Sequence, residues 1–307
     1  MYSGFFKILS MIPSPKNKDF KRPTHQVVQP TVHLAPVIFT SPHSGREYPN
    51  DFISASKLGA LALRSTEDSF VDQLFSDAPT FGMPILQANF PRAYVDPNRE
   101  PFELDPSMFS DDLPKYINTS SRRVAAGIGT IAKVVSSGQN IYVGKIKFSD
   151  AVKRINLYYR PYHKTLRKLL TETRKAFGGY FLIDCHSMPS IGGENDPDKG
   201  KERADFVLGD RFGNACSPDL TMRVAEYITS LGYSVGHNDP FSGGFTTKHY
   251  GRPSGRLHTL QIEINRRLYM DEKTIKPLPN LPILKEDINN LLRMLRNIRP
   301  KDLASAY

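Results

Sequence analysis

The sequence predicts a single α/β domain of three layers, in which a mixed, mainly parallel sheet carries helices on both faces. Short apolar runs with strand character alternate with stretches whose apolar residues recur at helical spacing, and this alternation is typical of such sheets. The 307 residues, 39% of them hydrophobic, are enough for one large core. We place an irregular, proline-punctuated arm at residues 1–30 and the domain at residues 31–307.

The individual elements can be placed in chain order. Strands are predicted at residues 83–88, 204–208, 233–236 and 258–264, with two more that start at residues 37 and 180 and each stop at a histidine. Helices are predicted at residues 56–64, 67–77, 149–177, 217–231 and 281–298. Pro161 should kink or split the longest helix, and the glycines at positions 243, 244 and 251 predict a flexible polar loop.

Charge and cysteine content narrow the class of protein. The formal charge is +10, but the basic residues are dispersed and lack the aromatic interleaving of a nucleic-acid platform, so we expect no nucleic-acid partner. A positive field would instead attract a small acidic substrate. No apolar run is long enough to span a bilayer, and two cysteines fit a reducing compartment. We therefore expect a cytoplasmic protein that does not associate with a membrane.

Two histidines follow strand-like runs. His43 stands in a Pro/Gly-rich turn, and His186 ends the run Tyr-Phe-Leu-Ile-Asp-Cys-His, at the strand ends where α/β proteins collect their ligands. The acidic pair Glu67-Asp68 lies between them in sequence. Two imidazoles, one carboxylate and a water make an open zinc site, so the sequence predicts a catalytic metal. Either carboxylate could be the third ligand, and both could equally serve the first turn of a helix.

Asp184 precedes His186 by two residues and is either a partner of the imidazole or a polar strand end.

The proline-punctuated segment at residues 90–106 carries Arg92 and Arg99. Two arginines can clamp a carboxylate in bidentate fashion. Each could equally pair with a nearby acidic residue and pin the loop.

The strand at residues 258–264 alternates polar and apolar residues, so that Gln261, Glu263 and Asn265 share one face. A carboxylate between two isoleucines is costly to bury unpaired, so Glu263 either pairs with Arg266 or works as an acid and base. We interpret Glu263 as the general base of the reaction.

Taken together, these segments resemble the N-formylglutamate amidohydrolase (deformylase) family. The resemblance runs in consistent order from about residue 37 to residue 271 and rests on several separated motifs. These are Ser-Pro-His43-Ser-Gly, Glu67-Asp68, Asp96-Pro-Asn98-Arg99, Arg160-Pro-Tyr-His163, Asp184-Cys-His186-Ser, Gly243-Gly244 and Gln261-Ile-Glu263-Ile-Asn-Arg-Arg-Leu-Tyr-Met. That family is similar to zinc carboxypeptidases and aspartoacylases, which implies a phosphorylase/hydrolase-like fold and a related mechanism.

The resemblance implies one zinc ion per chain, or another divalent metal in its place, bound by His43, Asp68 and His186. Glu67 is the alternative acidic ligand. Glu263 falls at the position of the catalytic glutamate of the wider carboxypeptidase-like group. The implied reaction is hydrolysis of the amide bond of N-formyl-L-glutamate to formate and L-glutamate.

Further residues are implied to contact this small acidic substrate. Asn98 and Arg99 look like the pair that holds a substrate carboxylate in the carboxypeptidase-like group. Thr247 and Arg266 are further candidates for binding the two carboxylates, and Arg92 is the candidate that stabilises the developing oxyanion.

Other interpretations stay open from the sequence. An amidohydrolase or peptidase for a different N-acyl amino acid could use the same metal ligands, and so could a zinc-binding protein without catalysis. The charge alone suggests a nucleic-acid-binding protein, for which strongly salt-sensitive binding would be the sign. The sequence does not decide the oligomeric state.

Overall fold

The computed structural model describes residues 23–194 and 196–304. The strands are β1 (His25–Val28), β2 (Val37–Ser41), β3 (Ile85–Ala88), β4 (Tyr180–Met188), β5 (Phe206–Gly209), β6 (Val235–His237), β7 (Leu257–Asn265), β8 (Met270–Asp271) and β9 (Lys276–Pro277). The helices are α1 (Asn50–Ala55), α2 (Ala60–Arg64), α3 (Val71–Leu74), α4 (Arg122–Ala125), α5 (Phe148–Arg154), α6 (Arg160–Phe177), α7 (Pro218–Ser230), α8 (Phe245–Tyr250) and α9 (Leu281–Arg296).

Seven of the strands form one sheet in the order β1-β3-β2-β4-β7-β5-β6. Its central pairs, β3 with β2, β2 with β4 and β4 with β7, are parallel, as is β5 with β6. The pairs β1 with β3 and β7 with β5 are antiparallel. The prediction of a mixed, mainly parallel sheet is therefore confirmed.

Helices cover both faces of this sheet, because alternate strand residues point to opposite sides. Phe39 of β2 packs in one core with Leu74 of α3, Val224 of α7 and Leu291 of α9. The neighbouring Ile38 packs in the other core, with Leu166 of α6 and aromatic side chains of the segment that follows β3. The three layers of the predicted α/β domain are thus present. None of the helices in the described ranges is both long and apolar enough to cross a membrane.

Several local predictions were wrong for identifiable reasons. Residues 25–28, expected in the irregular arm, form the edge strand β1, which hydrogen-bonds along β3; residues 1–22 lie outside the described ranges. Helix α1 was not expected. The helix expected at residues 67–77 is only the short α3, because Phe70 takes a left-handed conformation with φ of 70°, which ends any helical run.

Three further features lie beside the functional residues. Residues 245–250, expected in a flexible loop, form α8. The long helix is divided into α5 and α6 by a π-helical turn at Ile155–Tyr159, just before Pro161, where the missing N–H disrupts the regular hydrogen-bond ladder. Strand β4 runs on to Met188, so that His186 lies within the strand and pairs with Glu263 of β7.

Candidate metal centre and active site

His43, Asp68 and His186 lie together as one buried cluster. Their ligand atoms are all within 4.8 Å of one another, and all three side chains are buried. The Oδ2 atom of Asp68 is 3.0 Å from Nδ1 of His186 and 3.4 Å from Nδ1 of His43. The structure thus brings together two imidazole nitrogens and one carboxylate that the sequence separates by up to 143 positions.

A short set of hydrogen bonds brings the His43 turn to Asp68. The turn follows β2, and the hydroxyls of Ser41 and Ser44 lie 2.7 Å apart. The Ser44 hydroxyl donates to the carbonyl of Asp68, and the backbone N–H of Asp68 donates to the carbonyl of His43. The backbone of the turn is therefore tied to the backbone of the acidic residue, and the two side chains are held on the same side.

The structure separates the two acidic candidates. Glu67 accepts hydrogen bonds from the Tyr48 hydroxyl, the Ser69 hydroxyl and Nε of Arg64, and this network directs its carboxylate away from the histidines. Asp68 is the carboxylate that lies between the two imidazoles.

The outer imidazole nitrogen of each histidine, Nε2, contacts a further carboxylate. Nε2 of His43 lies 2.7 Å from Oδ1 of Asp96, and Nε2 of His186 lies 3.0 Å from Oδ2 of Asp184. A carboxylate that accepts from the outer imidazole nitrogen fixes the tautomer in which the inner nitrogen carries a lone pair. Asp184 therefore contacts the imidazole of His186, which is one of the two interpretations that the sequence allowed. The contact between Asp96 and His43 was not anticipated.

This donor set fits a divalent metal ion. Nδ1 of His43 is buried without a hydrogen-bond partner among the described residues, although buried polar atoms are normally paired. The Nδ1 atoms of both histidines lie beside the same Asp68 oxygen, at 3.0 and 3.4 Å. Two imidazole nitrogens and one carboxylate oxygen, with outer partners in place, are the protein ligands of an open zinc site.

The pKa values of two residues in this cluster also favour a bound cation. Burial alone would lower the pKa of His186, but Asp184 and Asp68 raise that pKa well above its usual value. Burial alone would raise the pKa of Asp68, but the neighbouring imidazoles of His186 and His43 lower that pKa well below its usual value. The pocket therefore favours positive charge between these groups, which a metal ion would supply on displacing a proton.

Glu263 is buried beside the cluster on the neighbouring strand. Nε2 of Gln261 donates to its Oε1 atom at 2.8 Å. Burial raises the pKa of Glu263 to about 7, although His186 and Arg92 oppose the rise. A carboxyl with a pKa near neutrality can both accept and return a proton.

Arginines surround these carboxylates. Arg92 bonds Oδ2 of Asp96 at 2.9 Å and lies 3.9 Å from Asp68, and its side chain stays 22% exposed. Arg266 bonds Oδ1 of Asp68 at 3.0 Å and also donates to Ser187 and to the carbonyl of Ser65. All three nitrogens of its guanidinium are therefore engaged within the protein.

Arg99 is a buried cation with incomplete compensation. Its Nε and Nη1 atoms donate to the carbonyls of Ile128 and Asn98, and its Nη2 atom lies 3.8 Å from Asp96. Burial lowers the pKa of Arg99 to about 10 in spite of Asp96. A further carboxylate near this group would relieve the cost of burying the charge.

Asn98 and Thr247, which the resemblance implies contact the substrate, are both buried. The Asn98 amide is buried, with its Nδ2 atom against Asp184 and His186 and its Oδ1 atom accepting from the backbone N–H of Thr246. Thr247 is completely buried in α8, and its hydroxyl has no partner among the described residues. Neither side chain faces solvent.

Comparisons with known proteins agree with this geometry. A family model described as N-formylglutamate amidohydrolase matches residues 35–270. The chain is similar to two N-formylglutamate deformylases, one from Pseudomonas aeruginosa (29% identical over 242 residues, 78% of this chain and 83% of that protein) and one from Pseudomonas putida (30% identical over 242 residues, 77% and 82%).

Solved structures show the same relationship. The crystal structure of an N-formylglutamate amidohydrolase from Ralstonia eutropha JMP134 superposes with a TM-score of 0.82 at 34% sequence identity, covering 89% of this chain and 97% of that one. The structure of Atu2144 from Agrobacterium tumefaciens shares the fold at 17% identity, with a TM-score of 0.57 over 90% of this chain and 97% of that one.

Proposed function

The chain belongs to the N-formylglutamate amidohydrolase family, and on that premise we propose that it hydrolyses N-formyl-L-glutamate to formate and L-glutamate with one zinc ion. The observation that carries the zinc dependence is the convergence of His43, Asp68 and His186, with a carboxylate behind each imidazole. The relatives' names support the substrate.

His43 and His186 would hold the ion through their Nδ1 atoms, and Asp68 through its carboxylate. Zinc bound in such a set supplies Lewis acidity and lowers the pKa of a water molecule from 15.7 to about 7. Arg266 contacts Asp68 through a bond of 3.0 Å. We therefore assign Arg266 to orienting this ligand, in place of the substrate contact that the resemblance implied.

Glu263 acts as the general base. It takes a proton from the attacking water as the new C–O bond forms at the formyl carbon. It then gives a proton to the amide nitrogen as the C–N bond breaks, so that formate and the free amine leave. A pKa near 7 suits both transfers, because the group must accept and return the proton at neutral pH.

Arg92 and Arg99 bind negative charge. Arg92 is partly exposed beside Asp68 and Asp96, so it can donate to the formyl oxygen as charge develops there. Arg99 is the undercompensated cation and takes a substrate carboxylate, with which it can form charge-assisted hydrogen bonds. Thr247 contributes to substrate binding only if α8 moves, since its hydroxyl is buried.

A substrate panel with a base variant tests this proposal. We expect release of equimolar formate and glutamate from N-formyl-L-glutamate, and much slower hydrolysis of N-acetyl-L-glutamate and N-formyl-L-leucine. The Glu263→Gln variant should keep its zinc and lose turnover by at least about 100-fold. Faster hydrolysis of another N-acyl amino acid would contradict the proposed substrate, and retained turnover in Glu263→Gln would remove it as the base.

A further inference from the structure

The amide of Asn98 is buried beside the metal centre, and both of its polar atoms have close neighbours there. Its Nδ2 atom lies 3.0 Å from Nε2 of His186 and 3.2 Å from Oδ2 of Asp184. Its Oδ1 atom accepts from the backbone N–H of Thr246 at 2.8 Å, and the side chain is 2% exposed. A substrate carboxylate could reach this amide only if the buried side chain moved from its place against Asp184 and Thr246.

Three polar atoms lie within 3.2 Å of one another: Nε2 of His186, Oδ2 of Asp184 and Nδ2 of Asn98. Only one arrangement of hydrogen bonds among them is consistent with metal binding by His186. If Nδ1 of His186 binds a metal, Nε2 must carry the proton and donate to Asp184. The Asn98 amide is also a donor, so it too bonds the Asp184 oxygen. The amide therefore stabilises the carboxylate that fixes the tautomer of His186, while a hydroxyl of Thr40 holds the other carboxylate oxygen at 2.7 Å.

The amide is itself locked in place by the turn before α8. A Cβ atom on Gly244 would lie 2.5 Å from both polar atoms of the Asn98 amide, which is far inside normal contact. The N–H of Gly244 donates to Oε1 of Gln261 at 2.9 Å, and Gln261 in turn donates to Glu263. One backbone turn thus contacts the groups that hold both His186 and Glu263.

We propose that Asn98 is a positioning residue for His186, locked by the Gly244 turn, and that it does not bind the substrate carboxylate. This inference rests on the proposed function, because it assumes that His186 is a zinc ligand. It leaves Arg99, whose charge is undercompensated, as the carboxylate-binding member of the Asn98-Arg99 pair.

Zinc affinity and steady-state kinetics of Asn98→Ala separate the two roles. Loss of an outer partner of a metal ligand typically lowers metal affinity by about 10- to 100-fold. Because Asn98 acts one step further out, through Asp184, we expect a loss near the lower end of that range, about tenfold, in competition with a chromophoric chelator, with KM for N-formyl-L-glutamate within about twofold of wild type at saturating zinc. Unchanged zinc affinity with a raised KM would overturn the proposal.

Gly244→Ala provides a second perturbation that retains the amide. Its φ of −87° is open to alanine, so the variant acts mainly by pushing the Asn98 amide from its place. We expect lower zinc affinity in Gly244→Ala, and little further loss when it is added to Asn98→Ala, since the added methyl group then meets no amide. Equal losses from Gly244→Ala in both backgrounds would contradict the lock.

Asn265→Ala is the matched control. Asn265 is also a fully buried asparagine, bonded to the carbonyls of Arg203 and Ala204, and its loss should lower stability without lowering zinc affinity. A wild-type protein that binds zinc but does not hydrolyse N-formyl-L-glutamate would defeat the proposed substrate, yet the affinity comparison would still decide the role of Asn98. A loss of zinc affinity in Asn265→Ala equal to that in Asn98→Ala would overturn it.

Discussion

The stability of this protein should depend on pH through one buried histidine that is not a metal ligand. His163 in α6 is 2% exposed, and its Nε2 atom lies 2.8 Å from the carbonyl of Pro97. Its Nδ1 atom lies 2.8 Å from the hydroxyl of Tyr250. A carbonyl only accepts, so Nε2 carries the proton, and Nδ1 accepts from Tyr250. The ring is thereby held neutral against Pro97, the residue that directly precedes the Asn98-Arg99 pair.

The size of the effect follows from the shift in pKa. Burial lowers the pKa of His163 to about 3, against the backbone contact that raises it, whereas the unfolded chain has a pKa of 6.5. The unfolded state binds this proton more tightly than the folded state does. The contribution of His163 to the free energy of unfolding is therefore fully present above pH 6.5 and is lost as the pH falls toward 3. From about pH 7.5 to about pH 5.0 the loss due to this one group is about 2 kcal/mol.

The assay is urea unfolding of the metal-free protein at several pH values. We expect wild type to lose about 2 kcal/mol more than His163→Gln over that pH range, because glutamine has no proton to take up. The surface variant His237→Gln, in which the altered side chain is exposed, is the control and should follow wild type. Parallel stability curves for wild type and His163→Gln would refute the reasoning.

Three further predictions concern the site and its support. Asp68→Asn should lower zinc affinity by at least about tenfold while Glu67→Gln changes it by less than about threefold, because only the first carboxylate lies between the imidazoles; equal effects in a chelator competition would contradict this assignment. Gly45→Ala should cost about 2 kcal/mol of unfolding free energy, since its methyl group would collide with the backbone of Phe90; an unchanged urea midpoint would show that the turn moves freely. Arg99→Ala should raise KM for N-formyl-L-glutamate by about 10- to 100-fold, the equivalent of losing a charge-assisted hydrogen bond, with zinc content unchanged; a fall in kcat alone would argue against carboxylate binding.

The sequence was informative where chemistry follows regular strands. His43 and His186 come from β2 and β4, which are parallel neighbours, so the carboxyl ends of their strands lie side by side as expected for this class of sheet. The alternation along β7 also places Glu263 on the face that its partner residue His186 occupies. These contacts depend on strand order and pleat, which periodicity and hydrophobicity reveal.

The residues that support the site could not be predicted in the same way. Asp96 reaches His43 across 53 positions and Asn98 reaches His186 across 88, and both stand in an irregular segment whose path is set by packing. The glycines before α8 suggested a loop. The structure gives a different reason for Gly244, because a side chain there would collide with Asn98. Only tertiary contact, which leaves no periodic signal, explains that position.

The central claim is that a zinc ion held by His43, Asp68 and His186 is required for hydrolysis of N-formyl-L-glutamate. The most direct test is elemental analysis of the purified protein together with formate release before chelation, after chelation and after zinc is restored. We predict about one zinc per chain, loss of formate release on chelation and its return with added zinc. Formate release that survives complete removal of metal, or a protein that takes up no metal under any loading, would contradict the account.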